Sequence, residues 1–128
     1  MKALLDTSSF LWLMQNSPKL SPKARKFVDS ATSELYLSLA SAWELAIKVG
    51  SSKLRLAGSL RELICEDAGR ARIKLLEVKV EEILAVEKLP DHHRDPFDRL
   101  LACQAQLANL PVISSNEIFD RYGLERIW

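Results

Sequence analysis

Apolar runs of only a few residues recur along this chain, each closing on a polar cluster and most leading into a segment of helical periodicity. Lys2–Leu5 ends at Asp6-Thr7-Ser8, Leu35–Leu37 at Ser38, and Leu110–Ser114 runs into Ser115-Asn116. Ile73–Leu76 is a further run, and Arg126–Trp128 reads as a closing edge strand. Runs this short, without polar alternation, are what strands buried on both faces look like. Strands that alternate with helices imply a parallel sheet covered by helices on both sides, so the expected class is α/β. In such sheets the functional site lies beyond the carboxyl ends of the strands. Three of the junctions there are polar: Asp6 to Ser8, Ser38 to Glu44, and Ser114 to Asn116.

The intervening segments carry helix signals. Ser8–Gln15 is apolar enough to pack behind the first strand. Ser17-Pro18 and Ser21-Pro22 both resemble helix starts, with Ser at the cap and Pro at the first helical position, the second launching Lys23–Ala31. From Ser41 to Val49, Ala42, Leu45, Ala46 and Val49 recur at helical spacing, with Gly50 as the expected stop. Ser59–Ala68 (ended by Gly69), Val80–Glu87 and Glu117–Tyr122 read as helices, and Asp95-Pro96 caps a long helix running to about Ala108.

The 128 residues contain no repeat, low-complexity tract or Gly/Ser/Pro linker, which points to a single domain over 1–128. No stretch approaches the roughly 20 apolar residues needed to span a bilayer. The opening MKALLDTSSFLWLM is interrupted by Asp6 and is read as mature structure rather than a leader. Cys65 and Cys103 stand alone, without CxxC pairing or clustered histidines, which argues against a zinc site or structural disulfide and for a reducing, cytoplasmic setting. Net charge is +1, so the overall balance does not mark a nucleic-acid binder. Residues 1–64 nevertheless hold nine basic and five acidic groups, and residues 65–128 nine and twelve. A basic half and a carboxylate-rich half suit a site that handles a polyanion through metal ions, and equally suit two ordinary mixed surfaces.

Four acids stand at or near the helix starts, each with a structural role open to it. Asp6 follows an apolar strand and is a natural N-cap for the next helix. A phosphoaspartate role is disfavoured, because Ser8 stands where the haloacid-dehalogenase pattern needs a second Asp. Ser41-Ala42-Trp43-Glu44 fits a capping box. Asp95 precedes Pro96 as an N-cap, which leaves Asp98 in the first turn, where the helix dipole favours it. Taken together, carboxylates at successive strand-to-helix junctions project toward one sheet edge. Oxygen-only ligands suit Mg²⁺ or Mn²⁺, and such sites hydrolyse phosphodiesters by activating water and neutralising phosphate charge.

LLDTSSFLWLM, SAWELAIKVGSSKLRL, HRDPFDRLLACQAQLANLPVISSNEIFDRYG and the closing RIW resemble, in order and spacing, the PIN domains of VapC-type toxins, over nearly the whole chain. The resemblance implies a three-layer α/β/α fold with a short parallel central sheet, and Mg²⁺- or Mn²⁺-dependent endoribonuclease activity. It also implies a homodimer and inhibition by a cognate antitoxin protein. The family's acids fall on Asp6, Glu44 and Asp98, the last because Asp98-Arg-Leu-Leu-Ala matches D-x-x-x-A. The fourth falls on Asn116, an amide that can ligate through oxygen but brings no charge.

Asp6, Glu44 and Asp98 are therefore expected to be catalytic and metal-holding, with Asn116 as a further ligand and Asp95, Thr7 and Ser115 auxiliary. Thr7, Ser9 and Ser115 also suit plain capping. Arg94, Arg99 and Lys48 are weaker candidates for RNA contact. His92 and His93 are read as a solvated loop, and Trp12 and Trp43 as core or dimer-interface residues. The competing readings are a catalytically weak PIN-like module that binds RNA or protein, favoured by Asn116, and a DNA or flap nuclease.

Overall fold

A computed structural model describes residues 1–128. Its elements run β1 (Lys2–Leu5), α1 (Thr7–Met14), α2 (Pro22–Asp29), β2 (Glu34–Ser38), α3 (Leu39–Gly50) and α4 (Leu60–Glu62). A π-helical turn over Leu63–Asp67 joins α4 to α5 (Ala68–Arg70). There follow β3 (Ile73–Leu76), α6 (Val80–Val86), α7 (Pro96–Ala108), β4 (Val112–Ile113), α8 (Ile118–Arg121) and β5 (Arg126–Ile127). All strand pairs are parallel, in the order β3-β2-β1-β4-β5.

The sheet is covered on both faces, as the short apolar runs require. Side chains alternate across β1: Ala3 and Leu5 enter a core with Leu35, Leu37, Ile113, Phe10 of α1 and Ala24 of α2. Leu4 points the opposite way, into a core with Val112, Leu101 of α7 and Phe119 of α8. The result is the expected three-layer α/β/α arrangement, with β1 at its centre and both faces of that strand dry.

Local capping chemistry sets most boundaries where the sequence puts them. Ser21 Oγ accepts the Ala24 N–H at 3.1 Å with Pro22 at the first helical position of α2. Asp95 Oδ1 accepts the N–H groups of Phe97 (2.8 Å) and Asp98 (3.3 Å) to start α7, which ends at Asn109 in a left-handed conformation (φ 54°).

Three boundaries differ from expectation. Ser17-Pro18 starts a turn rather than a helix: Asn16 adopts φ 51°, and Ser17 Oγ takes the Lys19 N–H at 3.2 Å. Helix α3 begins at Leu39, because Ser38, the last residue of β2, caps Ala40 N at 3.0 Å and the strand passes into the helix with no loop. The Ser41–Glu44 capping box consequently does not form; Ser41 is buried inside α3, and Gly50 is its last residue rather than its stop. The helical run that Ser59 opens is divided by the π turn, and it passes through Gly69 to end where Arg72 turns left-handed (φ 60°). No helix is long and apolar enough to cross a membrane.

Candidate metal centre

The strand register decides which side chains meet. Leu5 pairs with Leu37 on one side and Ile113 on the other, so Asp6, Ser38 and Ser114 stand abreast at the carboxyl edge of the sheet. Asp6 N–H donates to Ile113 O at 3.2 Å, extending the ladder by one rung and fixing the backbone under the carboxylate.

Asp6 is only 6% exposed, and each of its oxygens has one donor. Ser9 N–H donates to Oδ1 at 2.8 Å, so the capping role is real, while the Ser114 hydroxyl donates to Oδ2. The cap and the site are two uses of one carboxylate. Glu44, also buried, lies in the second turn of α3; Thr7 Oγ1 donates to its Oε1 at 2.6 Å, with Ser41 Oγ 2.9 Å from the same hydroxyl. Lys48, one turn further along α3, pairs with Glu44 Oε2 at 2.9 Å. Asp98 accepts from or donates to His93 Nε2 at 2.8 Å through Oδ2.

These groups share one cleft of about 370 Å³ with no apolar lining residue. It holds the carboxylates of Asp6, Glu44, Asp95 and Asp98 against a single cation, Lys48, with Thr7, Ser8, Ser115 and Asn116 completing the wall. Asn116 reaches the cleft with its amide oxygen already accepting the Ile118 N–H at 3.1 Å. Arg94 falls in an adjoining cleft with Lys48.

Arg99 is the exception among the expected substrate contacts. Its guanidinium turns inward, donating to the carbonyls of Val86, Leu89, Pro90 and His93 and to the Tyr122 hydroxyl at 3.1–3.4 Å, with 16% of the side chain exposed. The carbonyls at and beyond the end of α6 have acceptor capacity to spare, and a five-donor fork meets several at once. Arg99 therefore ties down the loop before α7 instead of facing RNA.

Three contributors escaped the sequence reading. Ser114 and Ser41 were visible as members of polar junctions, but not as partners of the acids. His93, expected in a solvated loop, instead has its donor atom within 4.8 Å of those of both Asp95 and Asp98. The D-x-x-x-A spacing marks Asp98 but carries no signal for an imidazole five residues upstream.

Residues 3–124 match the family model of the PIN domain. The chain belongs to the PIN-domain family. Solved structures similar to this PIN domain include VapBC2 from Rickettsia felis bound to a promoter DNA fragment (TM-score 0.71, 16% identity, covering 98% of this chain and 97% of that one). FitAcB from Neisseria gonorrhoeae (0.69, 18%, 100% and 97%) and DNA-bound VapBC from Salmonella typhimurium (0.70, 20%, 98% and 96%) are similar to it as well. At these identities the likeness is one of fold. No curated protein sequence matches the chain.

The ligand atoms of His93, Asp95 and Asp98 lie within 4.8 Å of one another, and Asp6 and Glu44 join them only as walls of the same cleft. This largely oxygen donor set of the PIN domain fits a hard divalent cation. Burial raises the Asp6 carboxyl above its ordinary range despite hydrogen bonds from Ser114 and Ser9, and the charge of Glu44 raises it further. Burial also lifts Asp98, to about 6; the His93 hydrogen bond opposes the rise, and Asp95 and Asp6 add to it. Desolvated carboxylates that repel one another, all offering oxygen, are relieved by a cation of charge +2.

Without metal, this burial, with the repulsion added to it, should appear as a pH-dependent stability. Asp98 is ionised above about pH 4 in the unfolded chain but keeps its proton to about 6 when folded. Alongside the raised Asp6 carboxyl, which acts in the same direction, the contribution of Asp98 to stability should therefore fall as pH rises from about 4 to about 6. Asp98→Asn removes this loss. In EDTA at pH 8, urea denaturation should find the variant more stable than wild type by ~2 kcal/mol, after allowing for the part of the side chain that water still reaches. A variant less stable than wild type at pH 8 would show that Asp98 is not under electrostatic strain.

Proposed function

We propose that this protein is a divalent-metal-dependent endoribonuclease acting as the toxin of a toxin–antitoxin pair. The observation that carries the nuclease reading is the meeting of Asp6, Glu44 and Asp98, from separate strand-to-helix junctions, in one cleft whose single cation leaves them under-neutralised. Those three acids would hold Mg²⁺ or Mn²⁺. A cation bound there supplies phosphate charge neutralisation and activation of the attacking water.

The chain's own groups prepare the site. Ser114 and the Ser9 amide fix Asp6, and Thr7 fixes Glu44, so that the acids meet a ligand without reorganising. Lys48 offsets the charge of Glu44 and stands at the mouth shared by the two clefts, placed to meet a phosphate. Asp95 caps α7 through Oδ1 and lies within 4.8 Å of the ligand atoms of His93 and Asp98; we assign it an auxiliary role beside Asp98, and Ser115 lines the wall beside Asn116.

The toxin reading draws on the VapC-type motifs and on structural neighbours that are toxin–antitoxin complexes. An antitoxin protein is the partner we infer, together with a homodimer. Val80, Ile83 and Leu84 expose an apolar face of α6 at helical spacing, which a second copy would cover. A setting in the cytoplasm belongs to the same proposal. The rival reading, a catalytically weak module that binds RNA or protein, has one specific support: Asn116 brings no charge, and its oxygen is occupied by Ile118 N–H.

Purified protein should cleave structured RNA with Mg²⁺ or Mn²⁺ and stop when EDTA is added. Asp95→Asn should retain most cleavage, since Asn caps nearly as well. Asp98→Asn and Asp6→Ala should each lose it by at least about a hundredfold while remaining folded. Cleavage that survives chelation or Asp6→Ala would remove the metal mechanism, and greater damage from Asp95→Asn would reassign the third acid.

Toxicity is tested separately. Induction of the chain alone in a bacterial host should arrest growth, and co-expression of the adjacent reading frame should restore it. Normal growth with abundant folded protein would contradict the toxin role.

A further inference from the structure

The second cleft has no part in holding the acids, yet it opens directly beside them. It measures about 400 Å³ and shares Glu44, Lys48 and Asp95 with the acidic cleft. Its remaining lining is of a different kind: the cations Lys53 and Arg94 together with Ile47, Pro96 and Phe97. Neither Lys53 nor Arg94 belongs to an ion pair, whereas Lys48 is already matched to Glu44.

Trp43 does not itself line this cleft; it packs on Phe97, which does. Sequence placed it in the core or a dimer interface, but it is 62% exposed. The ring is nonetheless not loose: it packs edge-on against Phe97, with centroids 5.2 Å apart and planes at 71°. Trp43 immediately precedes Glu44 on α3, and Phe97 immediately precedes Asp98 on α7. The two helices that deliver these acids thus also deliver the aromatic pair. An indole backed by a second ring and open to solvent, next to a cleft that carries Lys53 and Arg94, combines the two elements that hold single-stranded nucleic acid: a stacking face and phosphate contacts.

We propose that this cleft seats the single-stranded RNA flanking the bond to be cut, with one base stacked on Trp43 and neighbouring phosphates on Lys53 and Arg94. The proposal rests on the nuclease reading of the adjoining acids and adds the path of the strand leaving them. Charge selects RNA over a second copy or another protein as occupant. Of the three lining charges outside ion pairs, Lys53 and Arg94 are cationic and only Asp95, whose Oδ1 caps α7, is anionic, and the cleft leads to the acids assigned to a phosphodiester. Stacking tolerates any base, so Trp43 contributes affinity and a fixed distance to the acids rather than sequence readout.

Binding of a fluorescein-labelled oligouridylate, followed by anisotropy in EDTA, separates this site from cleavage. Trp43→Ala should weaken binding at least about fivefold, and Trp43→Phe should restore most of it. Lys53→Ala and Arg94→Ala should each reduce the slope of log Kd against log salt by about 0.7. Intrinsic tryptophan emission should be quenched by the RNA in wild type and unaffected in Trp43→Phe, because Trp12 and Trp128 pack on each other elsewhere. Circular dichroism and sedimentation should show every variant folded and in the wild-type oligomeric state.

Unchanged RNA affinity in Trp43→Ala overturns the proposal, as does quenching that persists in Trp43→Phe. So does a change of oligomeric state in Trp43→Ala, which would make the indole a contact between copies. Trp43-dependent binding by a protein that cleaves nothing would leave this site standing and remove the nuclease reading. Cleavage with Trp43-independent binding would do the reverse.

Discussion

Burial of one carboxylate, Asp6, organises the rest of this molecule. A charge at the end of a strand paired on both sides is costly unless donors or a cation meet it. The chain supplies donors from both directions along the sequence: Ser9 from the helix that follows, and Ser114 from the neighbouring strand more than a hundred residues on. These two contacts pin α1 against β1 and fix the end of β4 beside it. They do not discharge the carboxylate, which burial keeps above its ordinary range. The scaffold is therefore built around a carboxylate that it orients but leaves under-neutralised.

The acidic and basic clefts follow from how α3 and α7 are launched. Each helix begins directly at a polar cap, Ser38 for α3 and Asp95 for α7, so each carries its acid within the first two turns, close to the sheet edge. The residue before each acid is aromatic, and on packed neighbouring helices these aromatics meet. One geometric fact, two helices converging at the carboxyl edge of a parallel sheet, accounts both for the acids in one cleft and for the ring pair in the next.

Much of this was legible in the sequence because it rests on local chemistry. Short apolar runs identified the strands, Ser21-Pro22 and Asp95-Pro96 identified helix starts, and polar residues at strand ends pointed to the edge where the acids gather. What sequence could not resolve depends on distant partners. Ser41 to Glu44 fits a capping box by spacing, but β2 runs into α3 without a loop, and Ser38 takes the cap first. Arg99 beside an acid reads as a substrate contact until the carbonyls at and beyond the end of α6 are seen to claim it. Trp43 has the composition of a core residue, and only the packing of α3 on α7 shows its face turned outward. His93 opens the HRDPFD segment, but its contact with Asp98 was not legible, since it is set by a loop that Arg99 holds in place.

The central claim is that Asp6, Glu44 and Asp98 form a site for one kind of ligand, a hard divalent cation, and calorimetric titration of Mn²⁺ into the metal-free protein at pH 7.5 tests it without reference to any substrate. The account predicts saturable binding that is lost or weakened at least about tenfold in Asp6→Asn and in Glu44→Gln. Wild-type affinity in both variants, or no binding to the native protein, would contradict it.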